Sequence, residues 1–283
     1  MEKYPNIPPM ADSKDSSHFF IETLETDCYG SIEFVGPGAR LCQVQPKFVK
    51  ITPETNCNHL LSLLGNEWSL RKPQLLISVT GGAHNFKLTS RLQDIFRDGV
   101  IEAAVNTGAW IITGGTNVGV MKYIGEAVKD FKTDCRIHDV VAIGIATWGI
   151  LDQRSLLEDV NYSNRESFIS TIRQGEPNEV LLDPNHTHFI LVDDGSEGKY
   201  GVEVQLRAKL EETISTQWSL RTQQNDVTKI PLVCIALEGG PNTIQTVYEA
   251  VQKDTPVIIV ADTGRASDAM ALAFQRAEPS TEG

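Results

Sequence analysis

Three glycine pairs give this sequence its first chemical suggestion: Gly81-Gly82 in LLISVTGGAHNF, Gly114-Gly115 in AWIITGGTNVGVMKYIG and Gly239-Gly240 in IALEGGPNTI. Each ends an apolar run and opens a helical pattern. Glycine has no Cβ, so its backbone N–H can come close to an anion, and it accepts positive φ in a tight turn. A helix starting just afterwards points free N–H groups and the positive end of its dipole at the same spot. A single such turn is commonly no more than a close strand-to-helix contact; three on one sheet point to a shared phosphate site. The polar residues set into these turns, Thr80, Asn85, Asn117, Asn242 and Thr243, complete the main-chain part of the candidate site together with Gly119. None of the turns is a Walker loop, because no Gly-Lys-Ser/Thr follows, and Gly114 to Gly119 is only a distant relative of G-x-G-x-x-G.

The segment YGVEVQLRAKLEE supplies a ring and a guanidinium. Val202, Leu206 and Leu210 form its core stripe, and Tyr200 and Arg207 line up along a different edge. There they could stack a base and pair with a phosphate. Arg265, in ADTGRAS after the last apolar run, is a second candidate phosphate ligand. Taken singly, each is also well explained as an ordinary surface residue. Asp193-Asp194-Gly195 could bind a metal or ribose hydroxyls but reads better as a turn or cap. His186 and His188 lack a third ligand, so no metal site is expected, and Trp148 reads as packing. No Ser-His-Asp arrangement can be assigned, and no catalytic residue, metal or cofactor is named.

The elements that must position these groups are six near-continuous apolar runs: 75–79, 109–112, 140–147, 188–192, 232–237 and 256–260. Such runs suit strands buried on both faces of a parallel sheet. Helices are expected from Thr89 or Ser90 to Gly108, from about Val118, after Tyr200, after Asn242, and over 266–276. Alternating strand and helix predicts an α/β fold, a doubly wound, Rossmann-like, mostly parallel sheet with helices on both faces. Residues 71–276 are expected to form this nucleotide-binding domain and 18–70 an irregular leader packed on it. Polar segments 152–183 and 217–229 read as surface loops, and 1–17 and 277–283 as disordered tails.

Composition narrows the class. The 283 residues carry a formal charge of −12, which argues against a general affinity for nucleic acid or acidic membranes. Five irregularly spaced cysteines read as reduced cytosolic thiols. Asn161-Tyr162-Ser163 and Asn185-His186-Thr187 match the glycosylation triplet, yet nothing else indicates secretion. The longest apolar segment, Val140 to Leu151, is about half the roughly 20 residues of a bilayer span, so no membrane insertion is expected.

In order along the chain, LLISVTGGAHNF, GAWIITGGTNVGVMKYIGEAV, IGIATWG, HFILVDDGSEGKYGVE and LEGGPNTI resemble the N-terminal cytosolic domain of melastatin-type transient receptor potential (TRPM) cation channels, its melastatin homology regions 1 and 2. The likeness covers about residues 27–275. It looks nearest the ADP-ribose-gated branch, because Tyr200, Arg207 and Arg265 fall where that branch has ADP-ribose contacts. The resemblance implies a nucleotide-sensing module whose ligand is ADP-ribose or a related adenine nucleotide. Tyr200 would lie against the adenine, Arg207 and Arg265 near the phosphates or ribose, and the glycine turns at Gly81, Gly114 and Gly239 would line the pocket. It also implies a cytoplasmic place in a tetrameric plasma-membrane calcium channel, the chain itself being expected to be an excised domain.

A more distant likeness is to Rossmann-like proteins that include the cytokinin-activating phosphoribohydrolases. Their P-G-G-x-G-T-x-x-E run ends in a catalytic glutamate, whereas EGGPNTIQT puts Thr246 there, and threonine cannot act as the acid or base. Glu249, nearly one helical turn on, or Asp194 keeps a nucleotide hydrolase as the alternative; a structural domain with an unused pocket is the second.

Overall fold

The structure is a computed structural model and describes residues 18–35, 45–84, 86–135, 140–158, 169–173, 179–218, 220–221 and 227–277. Residues 1–17 and 278–283 of the expected tails, the triplet at Asn161, and the site candidate Asn85 lie outside the described residues.

In chain order the strands are β1 (Tyr29–Val35), β2 (Lys47–Ile51), β3 (Leu76–Gly81), β4 (Trp110–Thr113), β5 (Val141–Thr147), β6 (Ile169–Arg173), β7 (His188–Val192), β8 (Leu220–Arg221), β9 (Val227–Thr228), β10 (Leu232–Leu237) and β11 (Val257–Val260). The helices are α1 (Cys57–Ser62), α2 (Ser90–Asp94), α3 (Ile101–Thr107), α4 (Gly119–Cys135), α5 (Ser155–Glu158), α6 (Val204–Gln217), α7 (Pro241–Gln252) and α8 (Arg265–Ala277). All six apolar runs are strands within a residue or two of their expected ends. Thr89 caps α2 through Leu92 N–H, and Gly108 closes α3.

Nine strands form one sheet in the order β11-β10-β3-β4-β5-β7-β2-β1-β6. From β11 to β2 every neighbouring pair is parallel. β1 runs antiparallel to β2, and β6 parallel to β1. From β3 the chain steps outward through β4, β5 and β7, then returns by α6 to place β10 on the other side of β3. The winding therefore reverses between β3 and β10, and in such sheets a crevice opens beyond the carboxyl ends of the two strands where that happens.

Side chains alternate between the faces with period two. Trp110, Ile112, Ile143 and Ile145 meet Leu206, Leu210 and Ile214 of α6 and Leu60 of α1 on one face. Ile77, Val79, Ile111 and Ala142 meet Ile101 of α3 and Val120, Ile124 and Val128 of α4 on the other.

Three expectations need correction. Residues 18–70 are more than an irregular leader, because they supply β1 and β2 to the same sheet. Phe48 and Val49 are fully buried there, while Lys47 and Lys50 lead their amines out to the Glu67 carbonyl and the Glu158 carboxylate. Lysines whose stems cross a buried strand and whose heads reach polar partners hide its apolar signal. Segment 152–183 contains α5, the edge strand β6, and a bridge between Thr116 and Leu182. Segment 217–229 contains the antiparallel pair β8–β9, and Trp218 packs edge-on against Trp110 with ring centroids 5.4 Å apart.

Candidate functional site

The three glycine turns converge at the winding reversal. Gly81 ends β3, Gly239 follows β10, and these two strands pair directly through Gly81 and Leu237. Gly114 follows β4, the other neighbour of β3. The turns also touch one another. Gly119 has φ +56, and a Cβ placed on it would lie 1.7 Å from Gly82 O. Part of the glycine content is therefore fixed by close backbone contact.

Most turn amides are already engaged. Gly82 N–H donates to Leu237 O at 3.1 Å and Asn117 N–H to Leu181 O at 2.7 Å. Gly115 N–H donates to Thr113 Oγ1 at 2.9 Å, Gly239 N–H to Glu238 Oε2 at 3.1 Å and Gly240 N–H to Thr243 Oγ1 at 3.3 Å. Thr243 Oγ1 donates in turn to Gly81 O, tying two turns together. A cradle of wholly bare amides is not what the fold provides. Among the described residues, the N–H groups of Gly114 and Asn242 have no protein acceptor.

A cleft of about 660 Å³, including the part open to solvent, lies where the turns meet. Thr80, Gly81 and Arg207 line it beside β3; Gly114, Thr116, Val118 and Met121 line it after β4; Thr147 ends β5 and Ile150 follows it. Tyr200, Gly201 and Glu203 contribute from the approach to α6, and Asn242, Thr243 and Thr246 from the start of α7.

Tyr200 and Arg207 share this cleft but not one surface edge. Tyr200 precedes α6 and is 47% exposed, whereas Arg207 is 5% exposed. The expected exposed edge fails because α6 packs on the sheet, α1 and α7 together, so a broad face including Arg207, Ala208 and Glu211 is buried. Arg207 Nε donates to Glu211 Oε1 at 2.9 Å, and Nη2 donates to Ser78 Oγ at 2.8 Å and to the carbonyls of Val79 and Ile112 at 3.1 Å each. The β3–β4 ladder ends at the Ser78–Ile112 pair, so the guanidinium bonds backbone carbonyls where the two strands part. Nη1 has no protein partner among the described residues.

Arg265 does not line the cleft. It starts α8 with φ +51, is half exposed, and sets Nη1 3.7 Å from Glu238 Oε1. Two acidic residues absent from the sequence reading lie in or near this region, Glu203 in the cleft lining and Glu238 outside it. Glu203 lines the cleft and accepts from Thr147 Oγ1. Glu238 lies among the glycine turns, and its place between an apolar strand and Gly-Gly was the available signal.

The remaining candidates have structural partners. Asp193 and Asp194 accept from Gly195 N–H and Ser196 N–H within their own turn. Hydrogen bonds from Lys199 and Ser196 hold the Asp194 carboxyl well below the usual carboxylate range. His186 is fully buried beneath the Gly114–Gly115 turn, between Thr113 Oγ1 at 2.7 Å and Asp183 Oδ1 at 3.1 Å. His188 lies against the Trp68 ring, and Trp148 is packed with the Lys50 amine over its ring. Asn185, in the second glycosylation triplet, is buried. Thr246 Oγ1 donates to Asn242 O, and Glu249 pairs with Gln245 outside the cleft.

The family described as SLOG in TRPM matches residues 46–282. The chain belongs to that family. Transient receptor potential cation channel subfamily M member 2 of Rattus norvegicus is 45% identical over 254 residues, which are 89% of this chain and 16% of the rat protein. A subfamily M member-like 2 protein of Nematostella vectensis is 42% identical over 88% of the chain, and subfamily M member 7 of Homo sapiens is 40% identical over 91%. The chain spans 16% or less of the length of these TRPM relatives. Among its described residues no helix is long and apolar enough to cross a membrane.

Proposed function

We propose that the cleft is a ligand-sensing site for ADP-ribose or a closely related adenine nucleotide, and that in a longer TRPM protein its occupancy contributes to gating a cation channel. The observation that carries the reading is one cleft at the winding reversal with a half-exposed aromatic ring and a guanidinium among its lining groups. Tyr200 offers its face to a base, and stacking of this kind is sequence-tolerant and worth roughly 1–3 kcal/mol per base. Arg207 Nη1, Gly114 N–H and Asn242 N–H offer donors to phosphate oxygens, and the α7 dipole adds a favourable field. Glu203 offers a carboxylate to ribose hydroxyls.

Binding would favour the cleft's closed arrangement, and differential affinity for two arrangements is what a sensing domain passes on. The rest of a tetrameric channel at the plasma membrane would be the partner that receives it, with this domain on the cytoplasmic side. A hydrolase has less support, because neither Glu249 nor Asp194 lines the cleft and both have partners of their own.

Calorimetric titration with ADP-ribose tests the reading. The intact chain is expected to bind, and Tyr200→Ala to weaken binding roughly tenfold or more while leaving the melting temperature nearly unchanged. Equal affinity in the two proteins removes the assignment. Release of free base or ribose phosphate during the same incubation would replace it with an enzyme.

A further inference from the structure

Glu238 is the last residue before Gly239-Gly240, and its backbone holds φ +53, uncommon outside glycine. Its side chain turns inward and is largely buried. Oε2 accepts Gly239 N–H at 3.1 Å and lies against the bare Cα of Gly82, where a Cβ would sit 1.6 Å away. Oε1 faces Arg265 Nη1 at 3.7 Å, and Arg265 Nη2 lies 3.3 Å from where a Cβ on Gly240 would be. Three features suited to a phosphate, a glycine without a side chain, a turn amide and an arginine, thus converge on a carboxylate that the protein itself supplies.

Resting on the nucleotide-binding reading above, we propose that Glu238 is an internal anion that occupies a phosphate position and selects which ligands enter. A phosphate reaches Gly82, Gly239 and Arg265 only by displacing this carboxylate, and Arg265 then passes from Glu238 to the ligand. Two anions cannot share so small a space at low cost. Arg265 is ready to transfer, because 3.7 Å is long for a charge-assisted hydrogen bond and half of its side chain is in solvent. The device discriminates by charge. A ligand with a diphosphate competes with the carboxylate, whereas an uncharged nucleoside has nothing to gain there.

Calorimetry on the intact chain, Glu238→Gln and Glu238→Gln/Arg265→Ala, with ADP-ribose, inorganic pyrophosphate and adenosine as separate probes, tests this. Glutamine keeps an oxygen for Gly239 N–H but removes the charge. Glu238→Asn serves as a second variant, since asparagine adopts positive φ more readily than glutamate. Expected in both single variants is roughly tenfold tighter binding of pyrophosphate and ADP-ribose, unchanged adenosine affinity, and loss of the gain when Arg265 is also removed. Unchanged or weaker pyrophosphate and ADP-ribose binding in both folded variants overturns the proposal. Tighter pyrophosphate binding without any adenosine or ADP-ribose preference keeps the role of Glu238 and removes the nucleotide reading. ADP-ribose binding that depends on Tyr200 but not on Glu238 does the reverse.

Discussion

Arg207 and Arg265 belong to the same end of the sheet and each faces a glutamate, yet one is woven into the sheet and the other is loosely held. Arg207 donates four hydrogen bonds, to Glu211, Ser78 and two strand carbonyls, at distances no longer than 3.1 Å. Arg265 has one contact of 3.7 Å and is half in solvent. The contrast extends to their surroundings. Around Arg207 the sheet is buried on both faces, while β11, α7 and α8 beside Arg265 leave Ile258, Tyr248, Val251 and Phe274 exposed. A guanidinium fixed at one side can orient a ligand without moving, and one at the opposite side can change partners. A rigid arginine thus stands in the cleft wall, and a loosely held one lies outside its lining.

Stability measurements can break that contrast. Arg207→Ala removes half of a buried ion pair and leaves the buried Glu211 carboxylate with Ser78 Oγ but no countercharge, so urea unfolding is expected to show a loss of about 3–5 kcal/mol. Arg265→Ala is expected to cost under about 1 kcal/mol, the range of exposed pairs. Comparable losses would mean that the two sites are not different in kind.

The turns sharpen it further. Gly119→Ala forces a Cβ against Gly82 O at positive φ, and about 2–3 kcal/mol of destabilisation is expected. Gly195 also has positive φ, yet nothing lies within 4 Å of its Cβ position, so Gly195→Ala is expected to cost only about 1 kcal/mol. Equal costs in thermal melts would show that backbone angle, and not contact between the turns, governs these glycines.

A smaller effect per pH unit comes from Cys234, which pairs in register with Ser78 beside the Arg207–Glu211 pair. Burial, and after it the Glu211 charge, pushes its thiol up to about 12 from an ordinary 9.0. Between these values the unfolded thiol loses its proton while the folded one keeps it. Stability from this group is therefore complete below pH 9.0 and falls as pH rises toward 12, by about 1.4 kcal/mol per unit. Cys234→Ala should flatten the alkaline unfolding curve by that slope. An unchanged curve would show that water reaches this layer.

The central sheet was legible because its strands are continuous apolar runs bounded by glycine turns, a pattern with one physical meaning. The far strands were not. β2 is flanked by lysines that hide a buried Phe48 and Val49, and β6 lies in a polar stretch whose pairing with β1 is made by backbone groups that leave no side-chain signal. At the site, spacing brought Tyr200 and Arg207 into one cleft, but whether an arginine faces water depends on how many elements cover its helix, and no local pattern records that. Glu238 was overlooked for a related reason: a glutamate beside two glycines becomes an internal anion only when another strand brings Gly82 against it.

A crystal structure of the protein grown with ADP-ribose tests the account most directly. The expected result is adenine against the Tyr200 ring, a phosphate oxygen within hydrogen-bond distance of Arg207 Nη1, and the Arg265 guanidinium turned from Glu238 to the ligand. Nucleotide density away from the β3–β10 end of the sheet, or in the cleft with neither arginine touching a phosphate, would contradict it.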